Sequence, residues 1–99
     1  MKAQLTPRAL ADLESIRDYL VPLNPREAEN IRAAIADTIE LLEDFPQCGR
    51  ATDMDHIRVL PIVRYPYLVY HFVTDSEVIV VHIRHAARDV PQREDVSEF

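Results

Sequence analysis

The chain has 99 residues, of which 47% are hydrophobic and 28% charged, and its formal net charge is −6 at pH 7. A chain of this length forms one domain, and its apolar fraction is typical of a folded protein rather than a disordered one. It has no apolar run long enough to span a membrane and no signal-peptide pattern, so we expect one cytoplasmic domain over residues 1–99.

The net charge and the distribution of charged residues indicate which class of partner the protein can bind. A negative protein is poorly suited to diffuse attraction by a phosphate backbone, which argues against nonspecific or direct DNA binding. Ten of the eleven basic residues are arginine, whose planar fork suits specific contacts with carboxylates and phosphates. Residues 50–88 hold five arginines against four acids, whereas residues 89–99 hold one arginine against four acids and form an acidic tail.

Cys48 is the only cysteine. It cannot form an internal disulfide, and a lone thiol is typical of a reducing compartment. We interpret it as a small, half-buried loop side chain rather than a nucleophile. We expect neither a metal site nor a cofactor.

Two local signals predict where the first helix begins. After an extended lead-in at residues 2–6, Thr6 can accept hydrogen bonds from first-turn amides, and Pro7 suits the first helical position. Pro22 disfavours a helical residue before it, which predicts an end near Leu20. Apolar residues at helical spacing predict a buried side, with the intervening acids facing outward. The apolar positions are Leu10, Leu13, Ile16 and Leu20, and the acids are Asp12, Glu14 and Asp18.

The second helix repeats the pattern. Asn24 caps it, Pro25 takes the first position, and Glu27 is placed to complete a capping box. Pro46 ends the run, and the short connection between the helices predicts an antiparallel hairpin. One apolar stripe predicts helix pairing and core, and it comprises Ala28, Ile31, Ile35, Thr38, Leu42 and Phe45.

Three strand-like segments follow a loop at residues 46–56. The segment at 57–63 is interrupted by Pro61, which indicates an edge or a bulge. The segments at 67–73 and 77–85 flank the turn sequence TDS and predict a hairpin. A run of helices followed by a run of strands predicts an α+β fold: a short strand, then a helix hairpin packed on one face of an antiparallel sheet.

A hairpin register with Val73 opposite Val78 sorts the side chains into two faces. It places Tyr67 opposite Arg84, with Arg84 and His82 pointing away from the helices. His85 then falls on the helix-covered side or just past the strand. The fully apolar face is predicted to take the helices, and it comprises Leu68, Tyr70, Phe72, Ile79, Val81 and Ile83.

Three stretches resemble a known family. "LTPRALADLESIRDYL", "IRVLPIVRYPYLVYHFV" and "EVIVVHIRHAARD" are similar to the ParE branch of the RelE/ParE superfamily, the toxins of type II toxin–antitoxin modules. The resemblance implies the same β-α-α-β-β-β order and a ParD-like antitoxin that forms a hetero-oligomer with the toxin. It implies two possible activities, because ParE-like toxins poison DNA gyrase whereas RelE-like toxins cut messenger RNA on the ribosome without a metal.

The ribonuclease hypothesis needs a base for the 2′-hydroxyl and cations for the phosphate. His82 or His85 would be the base, and Arg84 and Arg88 would hold the phosphate. Against it, the register makes the two histidines point apart, and the net charge opposes docking on ribosomal RNA. The acidic tail also lacks lysine, tyrosine and histidine, whereas RelE-like ribonucleases typically place catalytic basic or tyrosine residues near this end.

We therefore favour gyrase binding, with no catalytic residue. Tyrosine and arginine are the preferred anchors of protein interfaces, and Pro66 stiffens the chain between two of the tyrosines. A third hypothesis is a degenerate toxin that only binds its antitoxin. The predicted surface for target or partner comprises Arg58, Arg64, Tyr65, Tyr67, Arg84 and Arg88.

Overall fold

The structure is a computed structural model that describes residues 1–87. Arg88 and the acidic tail at residues 89–99 lie outside the described residues, so what was predicted for them stays a prediction. The described elements, in chain order, are β1 (Lys2–Leu5), α1 (Pro7–Leu20), α2 (Pro25–Asp44), β2 (Arg50–Ala51), β3 (Arg58–Pro61), β4 (Tyr67–Val73) and β5 (Glu77–His85).

Both helices begin where the caps predict. The Thr6 side chain accepts from the amide of Ala9, and the Asn24 side chain accepts from the amide of Glu27. The capping box is only half formed, because the Asn24 amide donates to the Leu20 carbonyl instead. Local signals therefore fix the helix starts, and the α+β order of strand, helix pair and strand run is confirmed.

The sheet is mixed rather than antiparallel. Its order is β1-β5-β4-β3-β2, and β1 runs parallel to β5 while the other pairs are antiparallel. The antiparallel prediction was wrong for β1 because the chain crosses over through the helix pair and three strands before it returns beside β1. The two-residue β2 was also missed, since so short a strand has no periodicity to recognise.

A register shift divides the β4–β5 hairpin. Val73 lies opposite Val78 as predicted, but the register changes between Tyr70 and His71. The prediction that Tyr67 faces Arg84 was therefore wrong: Tyr67 lies opposite His85, and Arg84 lies opposite Leu68. A bulge places one extra residue on β5, and alternation along the sequence does not reveal where the extra residue sits.

The helices cover the other face of the sheet from the one predicted, except beyond the register shift, where Ile83 faces the helices as expected. The helix-covered core comprises Ala9, Ile31, Ile35, Leu42, Ile62, Tyr67, Val69, Val78, Val80 and Ile83. A second buried cluster comprises Ile57, Val59, Tyr70, Ile79 and Val81, and Met54, Leu68 and Phe72 pack against it. Both faces of β4 and β5 are apolar, so hydrophobicity alone could not decide between them.

The buried side of α1 is rotated from the predicted one. Ala9 is completely buried, whereas Leu10 is 52% exposed. Asp12 was predicted to face outward, but its side chain is only 12% exposed and lies against β5. The small Ala9 lets α1 approach the sheet closely, which brings the neighbouring polar residues of the helix to the end of β5.

Candidate partner-binding surface

One end of the sheet gathers several of the predicted functional residues. The turn between β3 and β4 closes there, with the Ile62 amide donating to the Tyr67 carbonyl. The Ala86 amide donates to the Pro66 carbonyl at 2.6 Å, which ties the end of β5 to this turn. The turn and the last strand therefore form one continuous surface.

The turn presents Arg64 in an unusual conformation. Arg64 is exposed and has a φ of 76°. This value lies in the left-handed region of backbone conformation, which residues other than glycine adopt at a cost in free energy. Val63 beside it is 78% exposed, whereas Tyr65 is half-buried against the helix-covered core. Tyr65 thus anchors the turn, and Val63 and Arg64 form its outward tip.

A cleft of about 200 Å³ lies between α1 and the end of β5, and we call it the α1–β5 cleft. Four of its α1 residues recur at intervals of four, three and four, so they lie on one side of the helix. The lining residues from α1 are Arg8, Asp12, Ser15, Ile16 and Tyr19, and those from the sheet are Tyr67, His82, Ile83, Arg84 and His85.

Asp12 joins the two walls of the cleft. One carboxylate oxygen accepts from Arg8 Nε at 3.0 Å. The other accepts from the His82 ring at 2.6 Å and from the Ile83 amide at 3.0 Å. The carboxylate therefore satisfies a β5 amide beyond the end of β1 and fixes α1 against the bulged strand.

The two histidines of the cleft are fixed in opposite tautomers. His82 uses Nδ1 to reach the Asp12 carboxylate, which accepts, so Nδ1 carries the proton. His85 Nδ1 accepts from the Ala87 amide at 3.1 Å, so its proton is on Nε2 when the ring is neutral. The His82 ring is only 3% exposed, while His85 is half-buried and meets the Tyr67 ring edge-on.

Arg84 is held by three hydrogen bonds. Its Nε donates to the Tyr70 hydroxyl, and its Nη1 donates to the carbonyls of His85 and Ala86. The guanidinium carbon also lies 5.7 Å from the centre of the Tyr70 ring. Arg84 is therefore a rigid cation at the rim of the cleft rather than a free surface side chain.

A second groove runs between the two helices and has a volume of about 330 Å³. Its walls are mainly apolar and include Leu13, Ile16, Val21, Ala28 and Ile31. Its rim carries the exposed pair Glu29–Arg32, whose hydrogen bond lowers the pKa of the Glu29 carboxyl. The predicted helix-pairing stripe thus leaves an open apolar seam.

A family model described as the ParE toxin of a type II toxin–antitoxin system, parDE, matches residues 3–90. The chain belongs to the ParE toxin family.

Relatives of this toxin carry names from both branches of the superfamily. "Toxin RelE2" of Caulobacter vibrioides is 39% identical over 83 residues, which are 84% of this chain and 92% of that protein. "Putative toxin Y4kP" of Sinorhizobium fredii is 31% identical over 88 residues, which are 88% and 90% of the two chains. A solved structure, the chromosomal ParDE system from P. aeruginosa, aligns with a TM-score of 0.77 and 26% identity, covering 86% of this chain and 95% of that one.

The toxin brings some of the predicted residues together and separates others. Arg84 and the buried Tyr67 line the same cleft, whereas Arg64 and Tyr65 lie in the adjoining turn, which the Ala86–Pro66 hydrogen bond ties to the end of β5. Arg58 lies opposite His71 in the middle of the sheet and donates to the carbonyls of Gln47 and Gly49, so it fixes a loop instead.

One expectation for the histidines was wrong. His82 was expected to point away into solvent, but the bulge and Asp12 bury it. The prediction that the two histidines point apart agrees with the register, which pairs His82 with Tyr70 and His85 with Tyr67, yet both residues line the α1–β5 cleft of the toxin. The residues that sequence reasoning missed are on α1, and their regular spacing beside Ala9 is the signal that could have found them.

No helix within residues 1–87 of the toxin is both long and apolar enough to cross a membrane. In the same residues, no three histidine, cysteine or acidic side chains are grouped in a way that could hold a metal ion.

Proposed function

We propose that this type II toxin arrests growth in the cytoplasm by binding DNA gyrase, and that a ParD-like antitoxin silences it in a hetero-oligomeric complex. The match to the ParE model and the fold shared with a ParDE system support this proposal. Arginine and aromatic side chains concentrated at the sheet end are the groups that anchor protein interfaces.

The burial of His82 favours binding over RNA cleavage. A general base must reach the proton it removes, within about 3 Å or through one water. The His82 ring is 3% exposed and its Nδ1–H is committed to Asp12. These properties suit a group that holds α1 to β5 better than one that takes a proton from a bound substrate.

The target is tested with purified proteins and in cells. The toxin, mixed with gyrase and supercoiled DNA, is expected to trap covalent cleavage complexes, and its induction is expected to trigger an SOS response while messages stay intact. Messages cut within codons, with gyrase unaffected, would overturn the proposal. A toxin that forms the antitoxin complex but leaves both DNA and RNA intact would support the degenerate-toxin hypothesis instead.

The surface is tested by neutralising arginines one at a time. Arg64→Ala is expected to weaken target binding by about 2 kcal/mol or more, as for a buried interface arginine. Arg17→Ala and Arg32→Ala are the controls, because both arginines lie exposed on the helices. If these controls reduce growth inhibition as strongly as Arg64→Ala, the sheet end is not the toxic surface.

One observation favours the ribonuclease alternative. When both rings are neutral, His82 Nε2 is bare and His85 Nε2 carries a proton, which are the two forms that base and acid catalysis need. Under this alternative, His85→Gln abolishes message cleavage on ribosomes while the protein stays folded. Under the gyrase proposal, His85→Gln leaves RNA uncut and changes gyrase binding only modestly.

The groove between the helices is our proposed antitoxin site. An amphipathic antitoxin segment that folds onto it would cover its apolar walls. The complex is expected to melt at a higher temperature than the free toxin, because the antitoxin binds the folded state. Val21→Glu in the groove wall should weaken antitoxin binding, whereas Arg26→Glu outside the groove should not. Equal melting temperatures with and without saturating antitoxin would count against this site.

A further inference from the structure

We propose that the α1–β5 cleft is a binding site for one carboxylate group, supplied by an aspartate or glutamate side chain of a protein partner. The inference rests on the proposed function only in that the toxin acts by binding proteins, and it does not depend on which protein is bound.

The polar groups of the cleft include several donors. The hydroxyl of Ser15 and the Nε2–H of His85 belong to residues that line it. Arg84 uses Nε and Nη1 in its own hydrogen bonds, and its Nη2 group carries two further N–H donors. A site rich in donors selects an acceptor, and a charged acceptor makes the stronger hydrogen bonds.

Asp12 does not make the cleft anionic. Both of its oxygens accept hydrogen bonds within the protein, one from Arg8 and the other from His82 and the Ile83 amide. Arg8 also places a positive charge beside this carboxylate, and its side chain is 39% exposed. Among the lining residues within 1–87, Arg8 and Arg84 carry two positive charges against the one negative charge of Asp12, in a protein whose net charge is −6.

Size and net charge favour a carboxylate side chain over a nucleic-acid phosphate. The volume of about 200 Å³ is below the roughly 300 Å³ at which pockets begin to bury drug-sized ligands, a class that includes nucleotides. A net charge of −6 opposes the approach of a polyanion, whereas one acidic side chain on a protein surface carries little such penalty. The walls are also fixed in advance, since Asp12 holds one to the other and Arg84 is bonded in place, which reduces the cost of ordering on binding.

The test titrates the full-length, isotope-labelled toxin with capped peptides while amide chemical shifts are recorded. The probes are a capped Ala-Ala-Glu-Ala-Ala peptide, its glutamine counterpart and the dinucleotide ApA. We expect the glutamate peptide to shift the amides of Ser15 and residues 82–85, and to bind at least ten-fold more tightly than the glutamine peptide.

Ser15 offers a matched pair of variants. It is exposed on α1, so Ser15→Asp and Ser15→Asn both leave the core unchanged. Ser15→Asp places a negative charge inside the cleft and is expected to weaken binding of the glutamate peptide at least ten-fold. Ser15→Asn introduces a side chain of nearly the same shape as aspartate but without the charge, and it is expected to retain binding. Arg84→Gln is expected to weaken binding of the glutamate peptide to a similar extent, whereas Arg32→Gln on α2 is expected to leave this binding unchanged.

The outcomes separate the hypotheses. Equal binding of the two peptides, shifts outside the cleft, or equal behaviour of the two Ser15 variants would each overturn the carboxylate site. Tighter binding of ApA than of the glutamate peptide would overturn it in favour of a nucleic-acid ligand. Gyrase poisoning is measured separately, so loss of the peptide site and loss of the gyrase target are distinguishable results.

Discussion

His71 and His82 are both buried on adjacent strands, yet their surroundings are opposite. His71 is completely buried on β4, where Nε2–H donates to the Pro46 carbonyl and Nδ1 has no hydrogen-bond partner within residues 1–87. Burial lowers the pKa of His71 below its ordinary value of 6.5, and the nearby charge of Arg58 lowers it further, while the Pro46 hydrogen bond opposes the shift. His82 instead donates to a carboxylate that also binds Arg8 and a backbone amide.

The difference separates a structural region from a candidate binding region. Around His71, the hydrogen bonds end on backbone carbonyls of the loop at residues 46–49, which Arg58 also binds. Around His82, they end on charged side chains that line an open cleft. A polar side chain that only stabilises the fold, such as His71, can be completely buried. A polar side chain that also positions the residues of a binding site, such as His82, lies next to an open cleft.

The largest expected effect is at Asp12. Asp12→Ala leaves the Ile83 amide and the His82 ring without the acceptor they share, and it removes the hydrogen bond from Arg8 to Asp12. Each buried polar group left unsatisfied costs about 1–3 kcal/mol, so with two such groups we expect a loss of about 3 kcal/mol or more in the free energy of unfolding. Urea unfolding measures it.

Asp18 provides the control for that prediction. It lies on the same helix and pairs with Arg17, but both side chains are well exposed. Asp18→Ala is therefore expected to change stability by less than about 0.5 kcal/mol. If the two alanine variants unfold at similar urea concentrations, Asp12 is not the link between α1 and β5.

The loop beside His71 is tested at Gly49. Its φ is 93°, and a Cβ atom there would lie 2.5 Å from the carbonyl oxygen of Val59. Gly49→Ala is expected to destabilise the protein by about 2 kcal/mol through backbone strain and this close contact. Thermal unfolding checks it, with Ala51→Gly at an exposed position of the adjacent strand β2 as a milder comparison.

The lowered pKa of His71 predicts a loss of stability in acid. The unfolded chain takes up the proton near pH 6.5, before the folded protein does, so the free energy of unfolding is fully retained above that pH and falls below it. The loss from this residue approaches about 1.4 kcal/mol per pH unit until the lower, folded pKa is reached.

The measurement is a series of urea unfolding curves from pH 7.5 to pH 5. His71→Leu removes the titrating ring and is expected to flatten the curve across that range, although it lowers stability at neutral pH by losing the bond to Pro46. An unchanged pH dependence in His71→Leu would assign the acid sensitivity to another group.

The two regions also differ in how much the sequence could predict. The caps at Thr6 and Asn24 act within a single turn, so the helix starts were predictable from neighbouring residues. The bulge beside His71 depends on packing between distant segments, and it changed the partner of every residue from Tyr67 to Tyr70. Asp12 contacts His82 and Ile83, which lie 70 and 71 positions later in the sequence, so no local pattern distinguished Asp12 from a solvated acid.

The smallest expected effect on stability is at Arg64. It tests whether backbone strain at Arg64 lowers the stability of the protein while exposing the guanidinium for target binding. Arg64 has a φ of 76°, which glycine adopts without strain, so Arg64→Gly is expected to raise the free energy of unfolding by about 1 kcal/mol. It also removes the exposed guanidinium, so growth inhibition should fall as stability rises. Arg64→Asn is the matched comparison, because asparagine tolerates this conformation but lacks the charge. Should Arg64→Gly be both more stable and fully toxic, the strained arginine has no role in target binding, and the candidate surface contracts to the α1–β5 cleft.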